Sequence, residues 1–231
     1  MKARIGEEYE FDLDKMVHLM VSGTTGSGKS VAINRLIYEL VSNYEPDELG
    51  LILIDPKQVE FSIWRNLPHL VMPIVTDMDK ANRVLNWVVS EMERRYKEMS
   101  IEGKKNWEGR KIVVIVDELS DLMMTNRANT ENALVRLAQK ARASGIHLVL
   151  ATQRPDAKVL TGLLRANIPT KMALRVASSI DSRIAIGRNG AEKLAGCGNA
   201  IVIDTDDNET RFKVDYISDE EIKKEVEVYD I

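Results

Sequence analysis

A single cysteine, Cys197, leaves no intrachain disulfide to form and fits a reducing compartment. No apolar run is long enough to span a bilayer. The longest, such as residues 51–54 and 112–116, have the length of a strand. The opening residues, Met1-Lys2-Ala3-Arg4-Ile5-Gly6-Glu7, hold no apolar stretch of the secretory kind. Internal repeats and low-complexity tracts are missing too, which excludes a repeat array. The chain therefore reads as soluble and cytoplasmic. What it does have is 231 residues, 44% of them hydrophobic, enough for a sizeable core without crosslinks. That length suits one large α/β domain or two small ones, and no composition break forces a second.

The net charge of −4 conceals an asymmetry. Between Arg136 and Lys193 there are eleven Lys and Arg against three acids, Asp156, Asp181 and Glu192. A basic segment in an acidic protein is either a footprint for a polyanion or a set of solvated surface charges. Charge alone does not separate the two.

Residues 23–30 read Gly-Thr-Thr-Gly-Ser-Gly-Lys-Ser, after an apolar run over 17–21 and before a helical stripe of Val31, Ile33, Leu36, Ile37, Leu40 and Val41. A G-x-x-x-x-G-K-[ST] stretch between strand and helix predicts a phosphate-binding loop. Gly23, Gly26 and Gly28 allow the backbone to fold so that successive N–H groups point at phosphate oxygens, with Thr24, Thr25, Ser27 and Val31 completing the loop. The helix N-terminus adds partial positive charge. Lys29 would reach the β- and γ-phosphates and Ser30 would ligate Mg²⁺, so ATP with Mg²⁺ is the expected ligand.

Further along, alternation continues. A buried strand is expected over 49–54, ending in Asp55-Pro56-Lys57, then an amphipathic helix over 79–99 and a polar connection over 100–110. A strand over 112–116 delivers Asp117 and Glu118 to its end. Two acids there are costly to bury unless a cation compensates, and a phosphate-bound Mg²⁺ would do so. Asp117 would hold the metal, and Glu118 would serve as general base for the attacking water. A helix over 131–143, stopped near Gly145, leads to a strand over 146–152 that ends at Gln153. Gln153 either senses the γ-phosphate or is an ordinary strand-end residue. Strands are expected over 170–176, 199–203 and 211–217, and Ser218 with Glu221 forms a capping box. The expected fold class is α/β, a mostly parallel sheet flanked by helices, with the loops after residues 22, 54, 116 and 152 converging on one crevice.

Seven stretches, taken together and in order, resemble the FtsK/SpoIIIE DNA-translocase motor. They are residues 18–31, 53–57, 91–96, 116–124 and 137–155, with Ala166-Asn-Ile-Pro-Thr170 and Ile180-Asp-Ser-Arg183. The resemblance runs from about residue 5 to 215 and implies a single RecA-like P-loop ATPase motor over residues 1–231. It implies a homo-oligomer, usually a hexameric ring, around double-stranded DNA, with ATP sites between subunits. Lys29, Ser30, Asp117, Glu118 and Gln153 then take the nucleotide roles above. Arg142 falls where the family presents an arginine finger to its neighbour's ATP, although a helix C-terminal arginine needs no such role. Arg154, Arg165 and Arg183 match pore positions that contact DNA phosphates. At Ser179 the family commonly has lysine, and the 100–110 connection is shorter than usual. The family's membrane-anchoring segment and C-terminal winged-helix module are not expected in this chain, so no membrane contact is expected from it. A secretion ATPase acting on protein substrates, and a nucleotide-dependent assembly module, are the competing expectations.

Overall fold

A computed structural model describes residues 1–6 and 9–229. The chain enters through an antiparallel hairpin, β1 (Lys2–Gly6) and β2 (Tyr9–Asp12), then one helical turn, α1 (Leu13–Met16). Strands and helices alternate from there. In order they are β3 (Leu19–Ser22), α2 (Lys29–Asn43), β4 (Leu49–Ile54), α3 (Met78–Glu102), β5 (Lys111–Val116) and α4 (Leu119–Lys140). They continue with β6 (Ile146–Thr152), α5 (Gly162–Asn167), β7 (Thr170–Ala173) and α6 (Ser179–Ile186). Strands β8 (Asn199–Ile203) and β9 (Glu209–Lys213) precede helix α7 (Asp219–Glu227).

Seven strands make one sheet in the order β4-β5-β6-β3-β7-β8-β9. The pairings from β4 to β7 are parallel, and those of β7 with β8 and β8 with β9 are antiparallel. The expected mostly parallel α/β sheet is what the chain forms. Its apolar runs hide a two-residue period. In β5, Val113 and Ile115 enter the core shared with α2, while Ile112, Val114 and Val116 enter the core shared with α3 and α4. Both faces are covered, so both must be apolar. Strand β3 lies between β6 and β7, where the chain order reverses, and this opens a crevice at the carboxyl ends.

Local chemistry sets the helix ends. Asp77 caps α3 through a bond from Lys80 N–H, and Gly103 closes it at φ 68°. The capping box at Ser218 and Glu221 forms as expected. Among the described residues no helix is long and apolar enough to cross a membrane.

Several boundaries differ from expectation. The strand expected from residue 17 begins at Leu19, because Val17 closes α1 at φ 62°. The helix expected over 131–143 starts at Leu119, directly on Glu118, and ends at Lys140. Asn126 (φ −149°, ψ 71°) breaks its path, so the apolar stripe is regular only after the kink. Strands expected to reach 176 and 217 stop at Ala173 and Lys213. Beyond them Arg175 C=O accepts from Thr24 N–H, and Asp215 N–H donates to Ile5 C=O, so these segments serve the loop and the hairpin instead.

Candidate nucleotide site

The loop between β3 and α2 is held from three sides. Gly23 N–H donates to Thr152 C=O (3.2 Å), Thr24 N–H to Arg175 C=O (2.9 Å), and Gly198 N–H to Ser27 C=O (3.0 Å). Gly28, the residue before α2, has φ 101°, and a Cβ there would lie 2.7 Å from Gly198 N. Only glycine fits both the conformation and the space. The first turn of α2, with Lys29, Ser30 and Val31, faces the crevice, where a helix start leaves its backbone donors without intrahelical partners.

Lys29 is 3% exposed. Its Nζ donates to the Asp117 carboxylate (2.8 Å) and carbonyl (2.7 Å), and Asp117 is 1% exposed. β5 thus brings its terminal acid onto the lysine of the phosphate loop. The second carboxylate oxygen of Asp117 is buried without a partner among the described residues. An acid left half-satisfied beside a phosphate cradle fits a hydrated cation. Among the described residues no group of three or more His, Cys, Asp or Glu is gathered for a metal, so such a cation would depend largely on phosphate oxygens.

Glu118 is buried and fully engaged. Its Oε1 accepts from Ser120 Oγ (2.7 Å), Ser120 N–H (3.2 Å) and Thr152 Oγ1 (2.7 Å), and Oε2 accepts from Gln153 N–H (3.1 Å). Burial alone would raise its pKa. The bonds from Thr152, Ser120 and Gln153, with Lys29 nearby, outweigh burial and hold the carboxyl below its usual range. Thr25 Oγ1 donates to Gln153 Oε1 (2.9 Å), tying the phosphate loop to the end of β6. Lys29, Asp117, Glu118 and Gln153 therefore meet at one crevice, with Ser30 on its wall.

The crevice opens into a cleft of about 990 Å³. One wall is the phosphate loop. The other is Cys197, Gly198 and residues 212–216, including the exposed Tyr216. Sequence reasoning did not place this second wall, because β8 and β9 reach the loop only through the sheet pairing with β7.

The four arginines fall elsewhere. Arg142 is exposed in the turn between α4 and β6, at the amino ends of the strands and hence away from its own phosphate loop. Arg154 is exposed just past the end of β6. Arg165 lies half-buried on α5, donating to Leu160 C=O (3.0 Å), and Arg183 is exposed on α6, bonded to Asn189 Oδ1 (2.9 Å). Helices α5 and α6 pack against the same core as α3 and α4, through Leu164 and Ile184. None of the four has an ion-pair partner among the described residues, whereas Arg136 and Arg188 in the same segment are paired with acids. Arg175, which the sequence reading passed over, is also exposed and unpaired among the described residues.

Comparison with known proteins agrees with this geometry. The chain is 43% identical over 243 residues to DNA translocase FtsK of Streptococcus pneumoniae, across 96% of this chain and 32% of the relative. The chain thus spans about a third of the length of that curated relative. Among solved structures it resembles the pCW3 conjugation coupling protein TcpA in a monomer form with ATPγS, at 28% identity and TM-score 0.84, covering 97% of this chain and 69% of that one. The cytoplasmic domain of the type VII secretion ATPase EccC of Thermomonospora curvata shares the fold, at 23% identity and TM-score 0.84, over 98% of this chain and 30% of that one. The FtsK/SpoIIIE family model matches residues 1–111 and 107–157. With that match and that identity, the chain belongs to the FtsK/SpoIIIE family.

Proposed function

We propose that this chain is an ATP-hydrolysing motor domain that moves double-stranded DNA, acting in the cytoplasm as a ring, a hexamer, with ATP sites between copies. The observation that carries the reading is the meeting of the phosphate loop, Asp117, Glu118 and Gln153 at one sheet edge. A protein that only bound nucleotide would have no need of a second buried acid beside it.

The residues act in sequence. Triphosphate enters the cleft with its phosphates on the N–H groups of residues 24–31 and its base against residues 212–216. Lys29 leaves Asp117 for the β- and γ-phosphates. Ser30 and Asp117 would hold an Mg²⁺ ion, which would neutralise phosphate charge when bound. Glu118, ionised, accepts the proton of the attacking water, and Gln153 orients that water through its amide. Arg142, at the far end of its own strands, reaches a neighbouring copy's phosphates and neutralises the transferring group, an effect of roughly 10³-fold or more in other nucleotide hydrolases. Arg154, Arg165 and Arg183 meet DNA phosphates, which gives affinity that falls with salt and carries little sequence information.

ATP turnover measured with and without long linear duplex DNA tests the reading. Strong stimulation by duplex is expected, and replacing Arg154, Arg165 and Arg183 together should abolish it and flatten the salt dependence. Stimulation by a protein substrate alone would assign the chain to protein secretion, and no turnover at all would make it a binding module.

A further inference from the structure

A further charged side chain stands at the site, beyond the residues that hold nucleotide and water. Lys57 follows β4, the strand beside β5, and its Nζ lies 3.8 Å from Glu118 Oε2. The carboxylate is 2% exposed and the lysine side chain 45%, so a buried anion is met at its outer oxygen by a cation at the mouth. The two oxygens differ. Oε1 is anchored inward by the hydroxyls of Ser120 and Thr152, whereas Oε2 has one N–H, from Gln153, and the ammonium. The other charges acting on this carboxylate are Lys29 from α2 and Asp121 on α4, and Asp121 in turn is met by Lys57, Arg154 and Asp117. Among the described residues, Lys57 is the cation within 4 Å of it.

The segment that carries Lys57 is built to be fixed. Asp55 is fully buried, and its carboxylate accepts from Lys57 N–H (3.2 Å) and Phe61 N–H (3.0 Å). Gln58 N–H donates to Asp55 C=O (3.2 Å) with Gln58 at φ 58°, and Phe61 and Trp64 anchor the far side in the core. A left-handed glutamine in a turn this tightly bonded indicates a backbone held in place by its surroundings. The lysine base is set while its chain reaches over the crevice.

We propose that Lys57 is a positioning residue for Glu118, holding Oε2 outward as the oxygen that receives the water's proton. The inference rests on Glu118 being the general base. Oε1 is fixed by its inward bonds and Oε2 by the Gln153 N–H alone once the ammonium is gone, so removing Lys57 loosens the direction of the outer oxygen toward the lytic water while the phosphate loop stays intact. Positioning of this kind acts on the chemical step and not on nucleotide binding.

The test compares Lys57→Met and Lys57→Arg with the wild-type chain in DNA-stimulated ATP turnover and in binding of a fluorescent ATP analogue. Lys57→Met should lower kcat about 10- to 100-fold, with KM and analogue affinity unchanged. Lys57→Arg should recover most of kcat, since it restores a cation of similar reach at the mouth. Adding Lys57→Met to Glu118→Gln should cost nothing more. A Lys57→Met variant with wild-type kcat would overturn the proposal. So would a loss of affinity in step with kcat that arginine does not repair. If Glu118→Gln is inactive while Lys57→Met is normal, only the role of Lys57 falls. If Glu118→Gln turns over normally, the general base has been misassigned and this proposal falls with it.

Discussion

Lys29 and Asp117 are each other's buried counter-charge, at 3% and 1% exposure, so removing either leaves the other uncompensated. The lysine assigned to phosphate therefore has a second duty before nucleotide arrives. Lys29→Ala should abolish turnover and also destabilise the nucleotide-free chain by about 3–5 kcal/mol, because an unpaired buried carboxylate is left behind. The double variant Lys29→Met with Asp117→Asn should regain part of that stability without regaining activity. Chemical denaturation of the three proteins checks it, and a fully stable Lys29→Ala would mean that the pair contributes little. At this scale the site was partly legible. The loop at 23–31 and the acids at 117 and 118 could be read because each is a local pattern with one chemical use. Lys57, Ser120 and Thr152 could not, since their meeting with Glu118 arises from β4, β5 and β6 lying side by side and from α4 beginning on Glu118 itself.

The phosphate loop shows how two glycines of one motif differ. Gly26 has φ 77° with nothing within 4 Å of a would-be Cβ, whereas Gly28 has φ 101° and a would-be Cβ 2.7 Å from Gly198 N. Gly26→Ala carries only the left-handed penalty of about 1–2 kcal/mol. Gly28→Ala must in addition push the loop from the 196–198 turn, so it should lower the melting temperature of the nucleotide-free chain clearly more. Equal losses would show that the two segments do not pack as described. The same contrast explains which elements could be read ahead. Strands β4, β5 and β6, buried on both faces, announce themselves as unbroken apolar runs. Short α5 and α6 and the β1–β2 hairpin do not, because six or eight residues carry too little periodicity and owe their form to tertiary contacts. The first turns of α4 were missed for a related reason: the kink at Asn126 puts the apolar residues on either side out of phase.

At the scale of the whole molecule, the buried histidines predict a pH dependence of stability. His18 and His147 are buried beneath the sheet's amino ends, and burial pushes them down to about 3 and about 4. His147 adds to the effect on His18, while the bond that the His147 ring donates to Val17 C=O opposes it on His147. His69 shifts the same way, chiefly through burial. His18 and His147 stay neutral in the folded chain over the range where an unfolded histidine takes up a proton, below about 6.5. Stability should thus be flat above that value and fall as pH drops toward 5, with His18 and His147 each approaching about 1.4 kcal/mol per pH unit and His69 acting in the same direction. Urea midpoints at pH 7, 6 and 5 check this, and a constant midpoint would contradict it. Function at this scale depends on whether hydrolysis inside a ring moves a duplex through it. The most direct measurement uses linear duplex DNA bearing a hybridised third strand, with displacement of that strand followed over time. Displacement should require ATP, disappear with Glu118→Gln and fail when Arg154, Arg165 and Arg183 are replaced. ATP turnover indifferent to duplex, with the third strand left in place, would contradict it.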